Sequence, residues 1–230
     1  MQRERKITLL STLLCILLTA ITAGAATLFP EYSLILSLFC TAALIIPFFV
    51  SFESKKPKSR QIVPIAVISA AAVVGRWIFA FIPSVQPATA LIIIAGCLFG
   101  PTEGFITGSV VAIVSNMLLG QGPFTPWQML CWGLCGAVGG LLYRGKLGAF
   151  FKLPAGIAAY GFVAGILYGQ IMNLQFFLGY TDKSVTSFVA AATASIPTDL
   201  MHAVSNAVVL ALTFSPMRKI FERIKVKYGL

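Results

Sequence analysis

A chain of 230 residues that is 58% hydrophobic and only 10% charged has too little polar surface to coat a water-soluble globule, where the charged share is about 25%. That excludes a soluble enzyme, a DNA-binding domain and a disordered chain, and it predicts an integral membrane protein with room for about six to eight spanning helices of about 20 residues each. The net charge of +10 lies in four clusters, Arg3–Lys6, Lys55–Arg60, Arg144–Lys152 and Arg218–Lys227, with only Arg76 and Lys183 elsewhere; short Lys/Arg-rich loops mark the cytoplasmic side, so the charge predicts topology and no nucleic-acid partner.

Segment one, about Ile7 to Phe29, has a basic start, an apolar stretch and Ala23-Gly24-Ala25, the outline of a signal peptide. Its apolar run is long for one and another span follows at once, so an uncleaved helix is expected. Segment two runs about Ser33 to Phe52 with Pro47 as a possible kink, and the basic loop Glu53–Arg60 follows. Segment three covers about Ile62 to Ile82. Segment four, Ala88 to Phe99, is short, is stopped by Gly100-Pro101, and is expected to be tilted or to cover part of the bilayer. Segment five is about Gly104 to Leu119, segment six about Trp127 to Tyr143, and segment seven about Pro154 to Leu178. Segment eight, about Val185 to Phe214, is expected as one helix kinked at Pro197.

Alternating the sides places the N-terminus, the 53–60 loop, the 144–152 loop and the C-terminal tail together in the cytoplasm. The loops Pro83–Pro87, Gly120–Pro126 and Gly179–Lys183, nearly free of Lys and Arg, fall outside. The predicted fold is an all-α polytopic bundle of about eight helices. Residues 1–60 form two N-terminal helices and a basic loop, residues 61–216 a six-helix core, and residues 217–230 a basic tail.

Small residues four apart let lipid-embedded helices approach closely. Gly161, Gly165 and Gly169 recur in segment seven, Gly136 and Gly140 in segment six, Gly104, Gly108 and Ala112 in segment five, and Ala66 and Ala70 in segment three. Most are expected to pack inside the bundle. Ala66 and Ala70, near the cytoplasmic end of their helix, are candidates for docking another membrane protein. The five cysteines, Cys15, Cys40, Cys97, Cys131 and Cys135, all sit in apolar segments and read as small buried hydrophobes; with one histidine in the chain, no metal site is predicted.

Charges inside a bilayer are costly and need a reason. Arg76 lies two-thirds along segment three and Asp199 midway along segment eight. Ser195, Asp199, His202 and Asn206 follow one helical stripe. Gln170 and Asn173 share a face of segment seven, Asn116 ends segment five close to Gln121, and Trp127, Gln128 and Trp132 open segment six. The functional reading is a polar and aromatic cavity opening outward; the structural alternative is that Arg76 and Asp199 neutralise each other, with Trp127 as an interface anchor.

Catalytic chemistry has few carriers. The stretch Gly140–Leu147 only approximates a phosphate-binding loop, with Leu147 where Ser or Thr is required and a spanning helix before it. No nucleotide or other cofactor is predicted, and no paired inverted halves of a self-powered transporter are visible. An intramembrane enzyme using Asp199 and His202 stands as the alternative of another class.

Two stretches carry a family resemblance: Arg76-Trp-Ile-Phe-Ala-Phe-Ile-Pro-Ser-Val-Gln86-Pro and Ser115-Asn-Met-Leu-Leu-Gly-Gln-Gly-Pro-Phe-Thr-Pro-Trp-Gln-Met129. Over about Pro64 to Pro216 the chain resembles the substrate-binding membrane subunits (S components) of energy-coupling factor vitamin transporters, and the second stretch resembles the subgroup associated with cobalamin-type corrinoids. The resemblance implies a six-helix core in a bacterial cell membrane and a vitamin captured in an outward cavity. It also implies partners: a transmembrane coupling (T) subunit and two ATPase subunits. It assigns Ala66 and Ala70 to docking, and it assigns the outer loops, with Gln86, Gln121 and Phe124, to the substrate lid. Together with Arg76, Asn116, Trp127, Gln128, Trp132, Gln170, Asn173, Asp199 and His202 these form the expected substrate site. Amide-rich cobalamin suits the Gln and Asn side chains; a thiamine precursor, a queuosine-type base or another small vitamin is the alternative. The two helices before the core depart from the family pattern.

Overall fold

In lipid a chain has no water to satisfy its backbone, so each apolar segment must bond internally as helix. The computed structural model describes Leu17, residues 29–57 and residues 59–228, and among these there are helices and connecting turns and no strand. Segment one, Leu17 and Phe29 apart, lies outside the described residues, as does Cys15. A short 3-10 turn, Pro30–Tyr32, leads into α1 (Ser33–Ser54), α2 (Ser59–Ile78), α3 (Pro87–Phe99), α4 (Pro101–Leu119), α5 (Thr125–Arg144), the single turn α6 (Gly148–Phe151), α7 (Pro154–Tyr180), α8 (Val185–Ala194) and α9 (Ile196–Tyr228). Among the described residues α1, α2 from Gln61, α4, α7 and α9 as far as Ile224 are long and apolar enough to cross a membrane.

Proline and glycine set most boundaries. Pro87, Pro101, Pro126 and Pro154 each stand in the first turn of a helix, where a missing N–H costs no bond. Gly100 links α3 to α4 with φ of 140° and Gly120 follows α4 with φ of 115°, conformations that side chains resist. Two boundaries differ from the sequence reading. Segment three ends at Ile78, and residues 79–85 continue as tight turns, with Ile82 N bonded to Phe79 O at 3.0 Å; Pro83 disfavours helix at the residue before it. Segment eight is two helices, α8 and α9, rather than one kinked helix. Pro197 has no N–H to offer the Thr193 carbonyl and its ring clashes there, so the ladder breaks at Ser195, whose carbonyl then starts α9 by accepting from Asp199 N at 2.9 Å. Beyond Pro216 the basic tail stays helical to Tyr228, with Phe221 edge-on to Phe99 at 5.1 Å.

The short helix α3 is the centre. It packs against α2, α4, α5, α7 and α9, and ten of its 13 residues are buried, as befits a helix apolar all round. Its 13 residues make about 20 Å, well short of the roughly 30 Å hydrocarbon core, in line with the partial span expected of segment four.

The glycine motifs are used within the bundle. A Cβ on Gly96 would lie 1.8 Å from Gly136 O, and one on Gly104 would lie 2.5 Å from Gly96 Cα, so α3, α4 and α5 meet backbone to backbone. Along α7 the three glycines face α9: Gly161 meets Leu210, Gly165 meets Ala203 and Gly169 meets Asp199. Cys97 and Cys135 are buried in the main apolar cluster and Cys131 is buried too, all as free thiols.

The helix α1 lies on α4, α5 and α7. Phe48 stacks on Phe105 with centroids 3.6 Å apart, Ser33 Oγ donates to Leu178 O at 2.9 Å, and Lys55 pairs with Glu103 at 2.8 Å. On α2, Ala66 and Ala70 are exposed, as are Val67 and Val74 beside them.

Gly136→Val inserts three carbons where backbones touch and should destabilise the protein by about 1–3 kcal/mol or more. Gly75→Ala should not, because its added Cβ meets Pro87 at an ordinary 3.6 Å. Thermal unfolding of the two variants in detergent checks this.

Candidate functional site

Lipid forces buried polar groups to find one another, and here they converge where the ends of α2, α4 and α5 meet α3, α7 and α9. Arg76 is in the last turn of α2. Its Nη1 donates to Ser115 Oγ at 2.5 Å and Asn116 Oδ1 at 2.6 Å, and its guanidinium lies 4.8 Å from the centroid of the Trp132 ring. Two oxygens and a π-face thus replace water around the cation.

Asn116 is the junction. With Oδ1 held by Arg76, its Nδ2 donates to Gln128 Oε1 at 2.8 Å and Thr125 Oγ1 at 3.0 Å. Thr125 Oγ1 donates to Gln121 Oε1 at 2.8 Å, and Gln121 Nε2 donates to Ile113 O at 3.0 Å. The Gly120–Phe124 turn is thereby tied to the cation through three side chains, Gln121, Thr125 and Asn116. The proximity of Asn116 and Gln121 expected from sequence is realised through Thr125.

A second branch runs inward. Trp132 Nε1 donates to Thr89 Oγ1 at 3.0 Å, and Thr89 Oγ1 shares a hydrogen bond of 2.9 Å with His202 Nε2. Tyr168 closes this group, 5.4 Å from the Trp132 ring and edge-on to His202 at 5.0 Å.

A third cluster surrounds Asp199. Its Oδ2 accepts from Gln170 Nε2 at 2.9 Å and Ser195 Oγ at 2.8 Å, and Asn173 Nδ2 donates to Ser195 Oγ at 2.6 Å. Gly169 makes room, since a Cβ there would lie 1.9 Å from Asp199 Oδ1. Asn206, further along the stripe, is fully buried and reaches Gly161 O at 3.4 Å.

Several expectations are corrected. Arg76 and Asp199 do not neutralise each other; each bonds its own neutral partners, and Arg76 Nε is left buried without one. Asp199 and His202 bond different residues and form no acid–base pair. The expected site residues are largely buried: Arg76 is 7% exposed, Asn116 1%, His202 6% and Asp199 8%. Three residues stand apart. Gln86 is half-buried at the N-cap of α3 without a side-chain capping bond, Phe124 packs over Gly122, and Trp127 is buried with no partner for its indole N–H.

Ser115, Thr125, Thr89 and Tyr168 complete the network and were not singled out in sequence. Ser115 and Thr125 lie inside the Ser115–Met129 stretch, which carried the signal. Thr89 and Tyr168 sit in ordinary apolar helices and only packing reveals them.

Asn116→Leu should lower stability by about 2–3 kcal/mol, since bonds to a charged group are strong ones and Arg76 keeps one oxygen partner of two. Asn116→Asp, which retains an acceptor, should lose less. Thermal unfolding of both variants is the measurement.

No curated protein and no solved structure matches the chain. The family model described as ECF transporter, substrate-specific component matches residues 60–214. That stretch begins in the first turn of α2, ends in α9, contains every residue of the network and omits α1. A match over about two thirds of the chain, on a bundle of apolar helices, places this protein in the family of substrate-specific components of energy-coupling factor transporters.

Proposed function

We propose that the chain captures a vitamin from outside the cell through the Arg76–Asn116–Gln128 junction and delivers it by docking to a coupling subunit driven by two ATPases. The observation that carries this reading is the buried Arg76 cation, which lacks a carboxylate partner and sits against Trp132 and one bond from Gln128. Such a site favours a ligand with an aromatic or conjugated ring and oxygen acceptors. Gln128 and Gln121, at the loop side, pair with ligand amides once Asn116 and Thr125 release them.

Cobalamin is the ligand proposed, on the likeness of the Ser115–Met129 stretch to the corrinoid-associated subgroup and on the match of carboxamides to Gln and Asn. One observation favours the second reading, a smaller heterocycle: Trp132 and Asn116 are at most 1% exposed and the rings of Trp132, Tyr168 and His202 are in contact, which suits a compact planar ligand without large rearrangement.

Both termini are proposed to be cytoplasmic. Lys55, Arg144 and Arg218 gather at the end of the bundle away from Arg76, where Arg144 reaches Leu98 O at 3.5 Å and Arg218 reaches Lys152 O at 3.0 Å. The exposed Ala66 and Ala70 lie nearer that end and provide the flat face for the coupling subunit.

Protein purified from cells grown with excess cobalamin should show a corrinoid absorption spectrum that Arg76→Gln diminishes. A colourless protein carrying a smaller molecule by mass spectrometry would establish the second reading instead, and no bound molecule from either growth condition would remove both. Ala66→Trp and Ala70→Trp should abolish co-purification with the coupling subunit while leaving ligand binding intact; assembly of the bulky variants would refute the docking face.

A further inference from the structure

At the end of the bundle opposite Arg76 there is a cavity of about 240 Å³, built by the end of α1, the loop after it, the start of α2, the end of α3, the start of α4 and the end of α5. Its apolar wall is Phe52, Ile65, Leu98 and Phe99, and its charged lining is Lys55, Glu103 and Arg144. Two cations and one carboxylate leave an excess of positive charge. The start of α4 adds the positive end of its helix dipole, and Lys56 and Lys146 lie close in sequence on the same basic loops. Gly100 makes room for both charged groups: a Cβ there would stand 2.3 Å from Glu103 Oε2 and 2.7 Å from Arg144 Nη1, so both press against bare backbone.

We propose that this cavity seats the headgroup of an anionic phospholipid, with Lys55 and Arg144 donating to the phosphate and the apolar wall receiving the glycerol and first acyl carbons. A water-soluble anion would have no use for that wall, whereas a lipid at the bilayer edge presents charge and hydrocarbon together. Glu103 holds Lys55 at 2.8 Å and opposes an incoming anion, so the carboxylate sets the affinity. Phe52, Lys55 and Pro57 precede the stretch matched by the family model. The site is therefore made by joining α1 to the core, and the bound lipid bridges the two beside the α2 face that carries Ala66 and Ala70.

The test reads lipid retention and is independent of vitamin capture. The full chain is reconstituted in nanodiscs of phosphatidylcholine doped with phosphatidylglycerol, released, and weighed with its retained lipids by native mass spectrometry. Phosphatidylglycerol should be enriched over phosphatidylcholine. Lys55→Gln and Arg144→Gln should each cut the enrichment about fivefold, Lys55→Arg should preserve it, and Glu103→Gln should raise it. That opposite sign separates loss of charge from loss of fold. The proposal is overturned by equal retention of the two lipids, by enrichment that survives Arg144→Gln, or by a fall in Glu103→Gln. It is also overturned if added inorganic phosphate displaces the phosphatidylglycerol, because the site would then read phosphate without lipid.

Discussion

The structure depends on three helices touching through their backbones. Hydrocarbon gives apolar side chains no reason to leave it, so helices in a bilayer associate through close packing and polar contacts. Gly96, Gly104 and Gly136 bring α3, α4 and α5 so near that none of them has room for a methyl group. That approach sets the rotation of each helix and thereby aims Thr89, Asn116 and Trp132 at common ground. The same device repeats at α7 and α9, where the stripe of Gly161, Gly165 and Gly169 faces Leu210, Ala203 and Asp199. The polar network is held in place by this seam, and at Gly169 the seam also makes the room that Asp199 occupies.

The two buried charges illustrate how a membrane receptor keeps polar groups ready. An Arg76–Asp199 pair would be self-sufficient, and a ligand would have to break it. Separate solvation by Ser115, Asn116 and Trp132 on one side and by Gln170 and Ser195 on the other leaves the cation attached to neutral partners. On the proposed reading, a ligand oxygen replaces those at less cost than it would replace a carboxylate. Gln121, Thr125, Asn116 and Arg76 are connected in series, so the Gly120–Phe124 turn and the guanidinium share one chain of hydrogen bonds.

The helix ahead of the family core is bonded at both ends and in the middle, through Ser33, Phe48 and Lys55. It lies on α4, α5 and α7 and leaves Ala66 and Ala70 exposed. As far as α1 goes, the addition enlarges the substrate-specific component without covering the proposed docking face. It also supplies one wall of the basic cavity at the other end from Arg76.

Much of this was legible in the residues. Apolar runs of helical length, proline at helix starts, glycine spacing and a rare arginine are local features, and they identified the bundle, most helix bounds, the packing stripes and the convergence of Arg76, Asn116 and Gln128. Local chemistry also located a fault near Pro197, though whether it kinks one helix or separates two depended on what Ser195 bonds. Partner choice was not legible. A sequence lists Arg76 and Asp199 as opposite charges of similar depth, and nothing in it distinguishes pairing from separate solvation. Thr89 and Tyr168 are ordinary residues until helix rotation turns them towards Trp132 and His202. The sequence by itself determined that the chain lives in lipid, where its helices begin, and which scarce polar groups must be satisfied, because solvent preference and backbone bonding act residue by residue. Only the tertiary structure decided which group satisfies which, because that follows from rotations and distances set by distant glycines meeting across the bundle.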